Sequence, residues 1–281
     1  MSDRHLILQG LNVARDDIDA IAKLTQAQEI LWSQPKLCKL LNASPHAELE
    51  QRCRSLKLDY AFVPADSKLS DIKLVAMDMD STLINIESLD EIADYVGLKH
   101  EVAAITQRSM QGEVDFAESL RQRVALLKGL DASALERVYQ ERLQLNLGAE
   151  QLIASLKKQG IKTLLVSGGF THFTERLKQR LGLDYAFANK LEIVAGKLTG
   201  NLQGPMLDAD AKARCVLEIG RKHGFQLPTQ ALAIGDGAND CAMFSVVGIG
   251  VAYHAKVVLQ QQATYRIDHV GLDGILNLFA S

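Results

Sequence analysis

The stretch Leu74-Val75-Ala76-Met77-Asp78-Met79-Asp80-Ser81-Thr82-Leu83 decides how the chain is read. Its first four residues are all apolar. A run this short, ended by acids, suits a strand buried on both faces of a parallel sheet. Two carboxylates follow at once, and strand alternation puts Asp78 and Asp80 on the same side of an extended segment. Like charges so close repel, so the pair needs a cation, a shared proton or both. Met77, Met79 and Leu83 bury the flanks and leave the acids little solvent.

Outward from this stretch the pattern repeats. Thr163–Val166, Ala231–Ile234 and Gly248–Val251 are further short apolar runs, separated by helical periodicity over Glu150–Gln159, Phe173–Leu181 and Lys212–His223. The alternation predicts an α/β domain with a doubly wound parallel sheet. Such sheets bind ligands beyond the carboxyl ends of their strands. Two of these strands run into polar clusters. In Leu165-Val166-Ser167-Gly168-Gly169-Phe170-Thr171, glycines let backbone N–H groups approach an anion, and a helix N-terminus adds a favourable dipole. Taken alone, Ser-Gly-Gly is equally a turn. In Gly235-Asp236-Gly237-Ala238-Asn239-Asp240, two acids can point at one small site. Asp236 is placed there to take an oxygen-loving divalent ion such as Mg²⁺. Lys212 follows Asp208-Ala209-Asp210-Ala211; it is either a solvated surface charge or a cation for phosphate and a carboxylate. Together these residues make the inventory that phosphoryl transfer through an aspartyl-phosphate requires.

Between Ser88 and Leu147 nothing reads as a strand. Asp90–Tyr95, Glu101–Arg108, Phe116–Leu127 and Ala132–Leu143 read as helices, with Gly97, Gly112 and Gly129 as breaks. A helical insertion over about residues 88–147 would sit above the strand ends, where a lid excludes water. At the other end, polar Val63-Pro64-Ala65-Asp66-Ser67-Lys68 marks a boundary near residue 70. Before it, His5–Gln9 and Tyr60–Val63 read as strands, and Asp16–Ala27 and His46–Leu56 as helices. The chain therefore divides into a small α+β domain, 1–70, and a main domain, 71–281.

The 281 residues fit one large domain with a small partner, and a net charge of −3 argues against a bulk grip on nucleic acid or anionic lipid. Its most apolar stretches, Lys73–Met77 and Ala231–Ile234, fall far below the roughly 18–20 residues of a membrane span. Met1-Ser2-Asp3-Arg4-His5 opens no secretory signal. The four cysteines, Cys38, Cys53, Cys215 and Cys241, form no CxxC pair and read as reduced thiols. The expectation is a cytoplasmic protein, monomer or homodimer, with a small-molecule substrate.

The order Asp78–Thr82 (DMDST), Ser167–Gly169 (SGG), Lys212 and Gly235–Asp240 (GDGAND) resembles the haloacid dehalogenase superfamily of phosphatases, and within it the phosphoserine phosphatase family. The resemblance covers roughly residues 71–281, and the helical insertion resembles that family's cap. It implies Mg²⁺-dependent hydrolysis of O-phospho-L-serine to L-serine and phosphate, the last step of serine biosynthesis. It also implies roles. Asp78 would be the nucleophile, and Asp80 the acid that protonates the leaving oxygen and then helps activate water. Asp78, the Asp80 carbonyl and Asp236 would hold Mg²⁺, with Asp240 orienting the metal's surroundings. Ser167, Gly168 and Lys212 would hold phosphate, and Asn239 would touch it or orient its neighbours. In the cap, Glu87 matches the acid that binds the substrate amine and Arg123 the cation that binds its carboxylate. Met110 and Phe116 match the apolar side of the pocket. One acid and one arginine suit an α-amino acid, which carries one charge of each sign.

The same resemblance suggests an amino-acid-binding domain of the ACT kind for residues 1–70. The segment is short for a full βαββαβ unit, and its middle strands, near Glu29–Trp32, are faint; a packing or dimerising appendage is the simpler expectation. Two other readings keep part of the chemistry. One is action on another small phosphomonoester, or phosphate transfer to another alcohol. The other is a phospho-acceptor signalling domain, disfavoured by the second acid at Asp80 and by the lid. An ion-pumping ATPase would need membrane spans.

Overall fold

The computed structural model describes residues 4–110 and 113–279, with the side chains of 109 and 110 outside that description. The chain opens with β1 (Arg4–Gly10), α1 (Arg15–Leu24), β2 (Glu29–Gln34), β3 (Leu37–Leu41), α2 (Leu49–Leu56) and β4 (Leu58–Pro64). The four strands form an antiparallel sheet in the order β2-β3-β1-β4. All six elements of a βαββαβ unit are thus present, where the sequence reads as too short for them. Economy of connection explains this: α2 and β4 are separated by Lys57 alone, which takes left-handed φ +53°. The middle strands are faint in sequence because β2 is a half-exposed edge, so its side chains need not be apolar. Alternation along β1 buries both faces. Leu6 and Leu8 meet Ile18, Ile21 and Cys53, while Ile7 joins the main core.

The second sheet is the one that positions the site. Its strands are β5 (Leu74–Met77), β6 (Lys162–Phe170), β7 (Tyr185–Val194), β8 (Lys197–Gln203), β9 (Ala231–Gly235), β10 (Ile249–Tyr253) and β11 (Tyr265–Ile267), in the order β11-β10-β9-β5-β6-β7-β8. All neighbours are parallel except the β7–β8 edge hairpin. Leu74, Val75 and Met77 are each at most 1% exposed, a burial worth about 1.5–3 kcal/mol per side chain. β5 lies centrally, with chain order running outward on both sides of it. That is the topological switch point at which such sheets open a crevice. Register fixes what meets there: Met77 pairs with Leu165 of β6 and with Ile234 of β9. Asp78, Val166 and Gly235 therefore emerge level.

Helices α7 (Ala149–Lys158) and α8 (Thr171–Leu181) flank the sheet near the cap, and α9 (Ala209–His223) covers the opposite face, packing Val216 and Ile219 on Leu74, Ala76 and Leu164. Between β5 and α7 run α3 (Ser88–Asp94), α4 (Lys99–Met110), α5 (Phe116–Ala125) and α6 (Ser133–Glu141), with no strand among the described residues of this insertion. Gly97 and Gly129 do break it, both at positive φ; Gly112 lies outside the described residues. The insertion is rooted twice. Its two connecting segments pair at Ile84 and Leu145, with Asn85 N–H donating to the Gln144 carbonyl at 3.0 Å. Its far side is laced to the β7–β8 hairpin, where Leu198 N–H donates to Leu130 and Gly129 N–H donates to Leu198. The small sheet docks through buried polar groups. Asp59 accepts backbone N–H bonds from Asp268, His269 and Val270 at 2.7–3.1 Å, and Gln9 accepts from Asn277 at 2.7 Å.

Candidate active site

Asp78 leaves β5 and is 3% exposed. Its Oδ1 accepts the Met79 N–H at 2.7 Å. Its Oδ2 accepts from Asn239 Nδ2 at 3.0 Å and lies 2.8 Å from Lys212 Nζ. Lys212, one turn into α9, is 1% exposed and also meets Asp240 Oδ1 at 2.8 Å. The surface-charge reading of Lys212 is therefore replaced by a buried ion-pair triad. Burial alone would lower the pKa of this amine; Asp240 and Asp78 outweigh it and hold Lys212 above its ordinary pKa.

Asp240 is fully buried, and its Oδ2 accepts the N–H groups of Asp236 and Gly237 at 3.1 and 3.2 Å. It thus pins the loop that carries Asp236. Asp236 Oδ1 accepts from Thr82 Oγ1 at 3.2 Å, tying the β9 tip to the loop after β5. That loop, Met79–Leu83, is a single wide turn with extended Asp80 and left-handed Ser81 (φ +57°). Asn146 Nδ2 braces it by donating to the Thr82 and Ile84 carbonyls at 2.8 and 3.1 Å.

The turn aims Asp80 towards β6. A β-carbon on Gly169 would lie 2.9 Å from Asp80 Oδ2 and 3.1 Å from Ser167 Oγ, so only glycine lets the two strand tips close. Asp80 Oδ2 accepts from Ser88 Oγ at 2.9 Å, while its Oδ1 is buried with no hydrogen-bond partner among the described residues. Burial, then Glu87 and Asp78, raises the Asp80 pKa well above the ordinary carboxylate range. Ser167 is buried at the end of the regular β6 ladder, its Oγ accepting the Gly169 N–H at 2.9 Å.

From the cap side, Glu87 precedes α3 and accepts from Ser81 Oγ at 2.7 Å. Arg123 on α5 donates from Nε to the Ser119 carbonyl at 3.3 Å. Burial lowers its pKa, while Asp90, Glu87 and Asp80 act in the opposite direction. Arg123 thus stands in the field of three acids. Phe116 opens α5 half-exposed, its ring tip 3.4 Å from where a β-carbon of Gly168 would stand. Met110 ends α4, and its side chain lies outside the described residues.

Three carboxylate oxygens, from Asp78, Asp236 and Asp240, lie within 4.8 Å of one another. Among the described residues Lys212 is the one ammonium bound to them, so the cluster is left with excess negative charge. Burial, Asp78 and Asp240 push Asp236 up to about 7, as expected of acids crowded without enough countercharge. An all-oxygen donor set of this charge fits a hard divalent cation. Both Asp240 oxygens are engaged with Lys212 and the backbone N–H groups of Asp236 and Gly237, so Asp240 braces the residues around it.

These features can be set beside known proteins. The family model for haloacid dehalogenase-like hydrolases matches residues 72–248. A phosphoserine phosphatase of Albidiferax ferrireducens is 52% identical over 217 residues, spanning 75% of this chain and 91% of its own length. The chain belongs to the haloacid dehalogenase-like hydrolases, within the phosphoserine phosphatase family. Among solved members, a probable phosphoserine phosphatase from Vibrio cholerae superposes with a TM-score of 0.85 at 36% identity, covering 98% of this chain and 85% of that one. A phosphoserine phosphatase solved as a phospho-aspartyl intermediate analogue is 41% identical, with a TM-score of 0.69 over 74% of this chain and 99% of its own.

Several residues around this family's motifs escape a reading of the sequence. Thr82 and Ser88 are small hydroxyls with no signal beyond their closeness to Asp80. Asp90 looks like an ordinary first-turn helix acid, yet it is the acid weighing most on Arg123. Asn146 and Asn189 lie in segments without any motif, and only folding brings them to the loops they hold.

Proposed function

We propose that this chain hydrolyses O-phospho-L-serine to L-serine and inorganic phosphate, with Asp78 as the nucleophile. The observation that carries the reading is the pairing of a Lys212-bound Asp78 with an Asp80 whose Oδ1 is buried and whose pKa is raised. In the first half-reaction an Asp78 carboxylate oxygen bonds to phosphorus as the bond to the seryl oxygen breaks. Protonated Asp80 gives that oxygen its proton. In the second, Asp80, now a carboxylate, takes a proton from water. The water oxygen bonds to phosphorus, the bond to Asp78 breaks, and both acids return to their starting states. Ser167, the Gly168 backbone, Lys212 and Asn239 hold the phosphate. Asp78, Asp236 and the Asp80 carbonyl would hold Mg²⁺, which when bound offsets phosphate charge.

At the other end of the substrate, Glu87 meets the ammonium and Arg123 the carboxylate, with Phe116 and Met110 as the apolar wall. We assign the phosphatase core to residues 71–281, with the cap at about 88–147, and the small α+β domain to residues 1–70. The linker 65–73 between the two sheets supports that division. The four unpaired cysteines support a reducing compartment, the cytoplasm.

The test is phosphate release from O-phospho-L-serine by the full chain, with Mg²⁺ and with excess chelator. Release should require the metal and return when it is restored. Arg123→Ala should cut kcat/KM on phosphoserine by about 10–100-fold, the worth of a charged hydrogen bond. On p-nitrophenyl phosphate, which has no carboxylate, it should change little. Equal losses on both substrates would remove Arg123 from the pocket, and undiminished release in chelator would dismiss the metal.

A further inference from the structure

The ladder between β6 and β7 contains a bulge. Val166 pairs with Phe187 and the next pair is Phe170 with Asn189. Three residues, Ser167–Gly169, therefore face one residue of β7. Bulges of this kind re-aim backbone groups beside active sites, and here the bulge coincides with the segment read as holding phosphate. Asn189, 2% exposed, bridges the gap with its side chain. Its Nδ2 donates to the Gly168 carbonyl at 2.8 Å and to the Leu207 carbonyl at 3.3 Å. Its Oδ1 accepts the Leu207 N–H at 2.7 Å. Leu207 is the residue before Asp208, whose carboxylate caps α9 by accepting the Ala211 N–H at 2.8 Å. Lys212 follows within that first turn.

We propose that Asn189 is a positioning residue for phosphate: its one buried amide sets the separation between the Ser167–Gly169 bulge and the start of the helix that carries Lys212. The proposal rests on reading that pocket as the phosphate site. No other side chain of similar size does the same work. Aspartate would turn a carboxylate towards two carbonyls, alanine would leave Gly168 and Leu207 untied, and leucine would fill the space without a bond.

The test is direct binding of inorganic phosphate to the full chain in Mg²⁺, by calorimetry, for wild type, Asn189→Asp and Asn189→Ala. Phosphate Kd should rise by about tenfold or more, the cost of losing a buried polar tie. The loss in kcat/KM should appear mainly in KM, and equally on phosphoserine and p-nitrophenyl phosphate, unlike the selective loss in Arg123→Ala. A residue needed only for folding would lower the active fraction, and so kcat, while leaving Kd and KM of the folded molecules alone. A Kd within about twofold of wild type in a folded variant overturns the proposal. In wild-type chain labelled at asparagine, the Asn189 side-chain amide resonance should shift as phosphate is added. An amide that stays still through saturation overturns it without any variant having to fold. A wild type that binds phosphate but releases none from phosphoserine overturns the substrate reading alone; one that binds no phosphate overturns both.

Discussion

Asp78 holds its geometry through three separate donors: its neighbour's amide, Asn239 and Lys212. Asp78→Asn keeps the shape but offers a poor nucleophile, so turnover should fall by about 10⁴-fold or more. The melting temperature should move little, because removing one acid also relieves the crowding at Asp236 and Asp240. Wild-type turnover in that variant would refute the mechanism. The same crowding makes stability depend on pH. Asp236 titrates near 3.8 when unperturbed and is pushed up to about 7 in the fold. In that interval the folded chain binds more protons than the unfolded one, so stability is fully present below the lower value and is lost as pH rises towards the upper. Metal-free protein should therefore melt at progressively lower temperature from about pH 4 to pH 7, and the gain in melting temperature on adding Mg²⁺ should grow over the same range. A gain independent of pH would contradict this. Asp78 and Asp236 stand out in the sequence because each closes an apolar run, and Asp80 because it lies two residues beyond Asp78. Asn189 and Asn146 were not, since a buried amide leaves no mark on its neighbours in the chain.

Among the elements, strands buried on both faces read clearly, and β5, β9 and β10 fall within two residues of their apolar runs at either end. In the second sheet the strands that escaped are β7, β8 and β11; in the first, β3 also escaped. β7 mixes aromatic and charged residues, β8 is an antiparallel edge with polar outward positions, and β11 has three residues. Each lacks the continuous apolar run that marks a central parallel strand. β6 continues four residues past its apolar run, through Ser-Gly-Gly, because the bulge lets the strand resume at Phe170. The β9 tip tolerates no addition: a β-carbon at Gly235 would stand 2.3 Å from Asp240 Oδ2 and 2.7 Å from its Cβ. Gly235→Ala should displace the brace of both Lys212 and Asp236, with a strain of about 1–3 kcal/mol. Circular dichroism should stay native while kcat falls sharply. Retained kcat would show that Asp240 does not set the geometry of Lys212.

On the scale of the whole molecule, the small sheet is held by buried polar contacts that a sequence cannot announce, since Asp59 finds its partners at Asp268, His269 and Val270. Asp59→Ala would strand three amides at that junction, at about 1–3 kcal/mol for each one left unsatisfied. Calorimetry should then show a lower and broader transition, split where the small sheet melts first; an unchanged single transition would mean the junction adds nothing. The cap is fastened along two borders, one where Ile84 meets Leu145 and one where Leu130 meets Leu198. A plate fastened so cannot lift straight off. Lifting it would break the backbone bonds of one border or the other, and Phe116, whose ring tip stands over Gly168, would move with it.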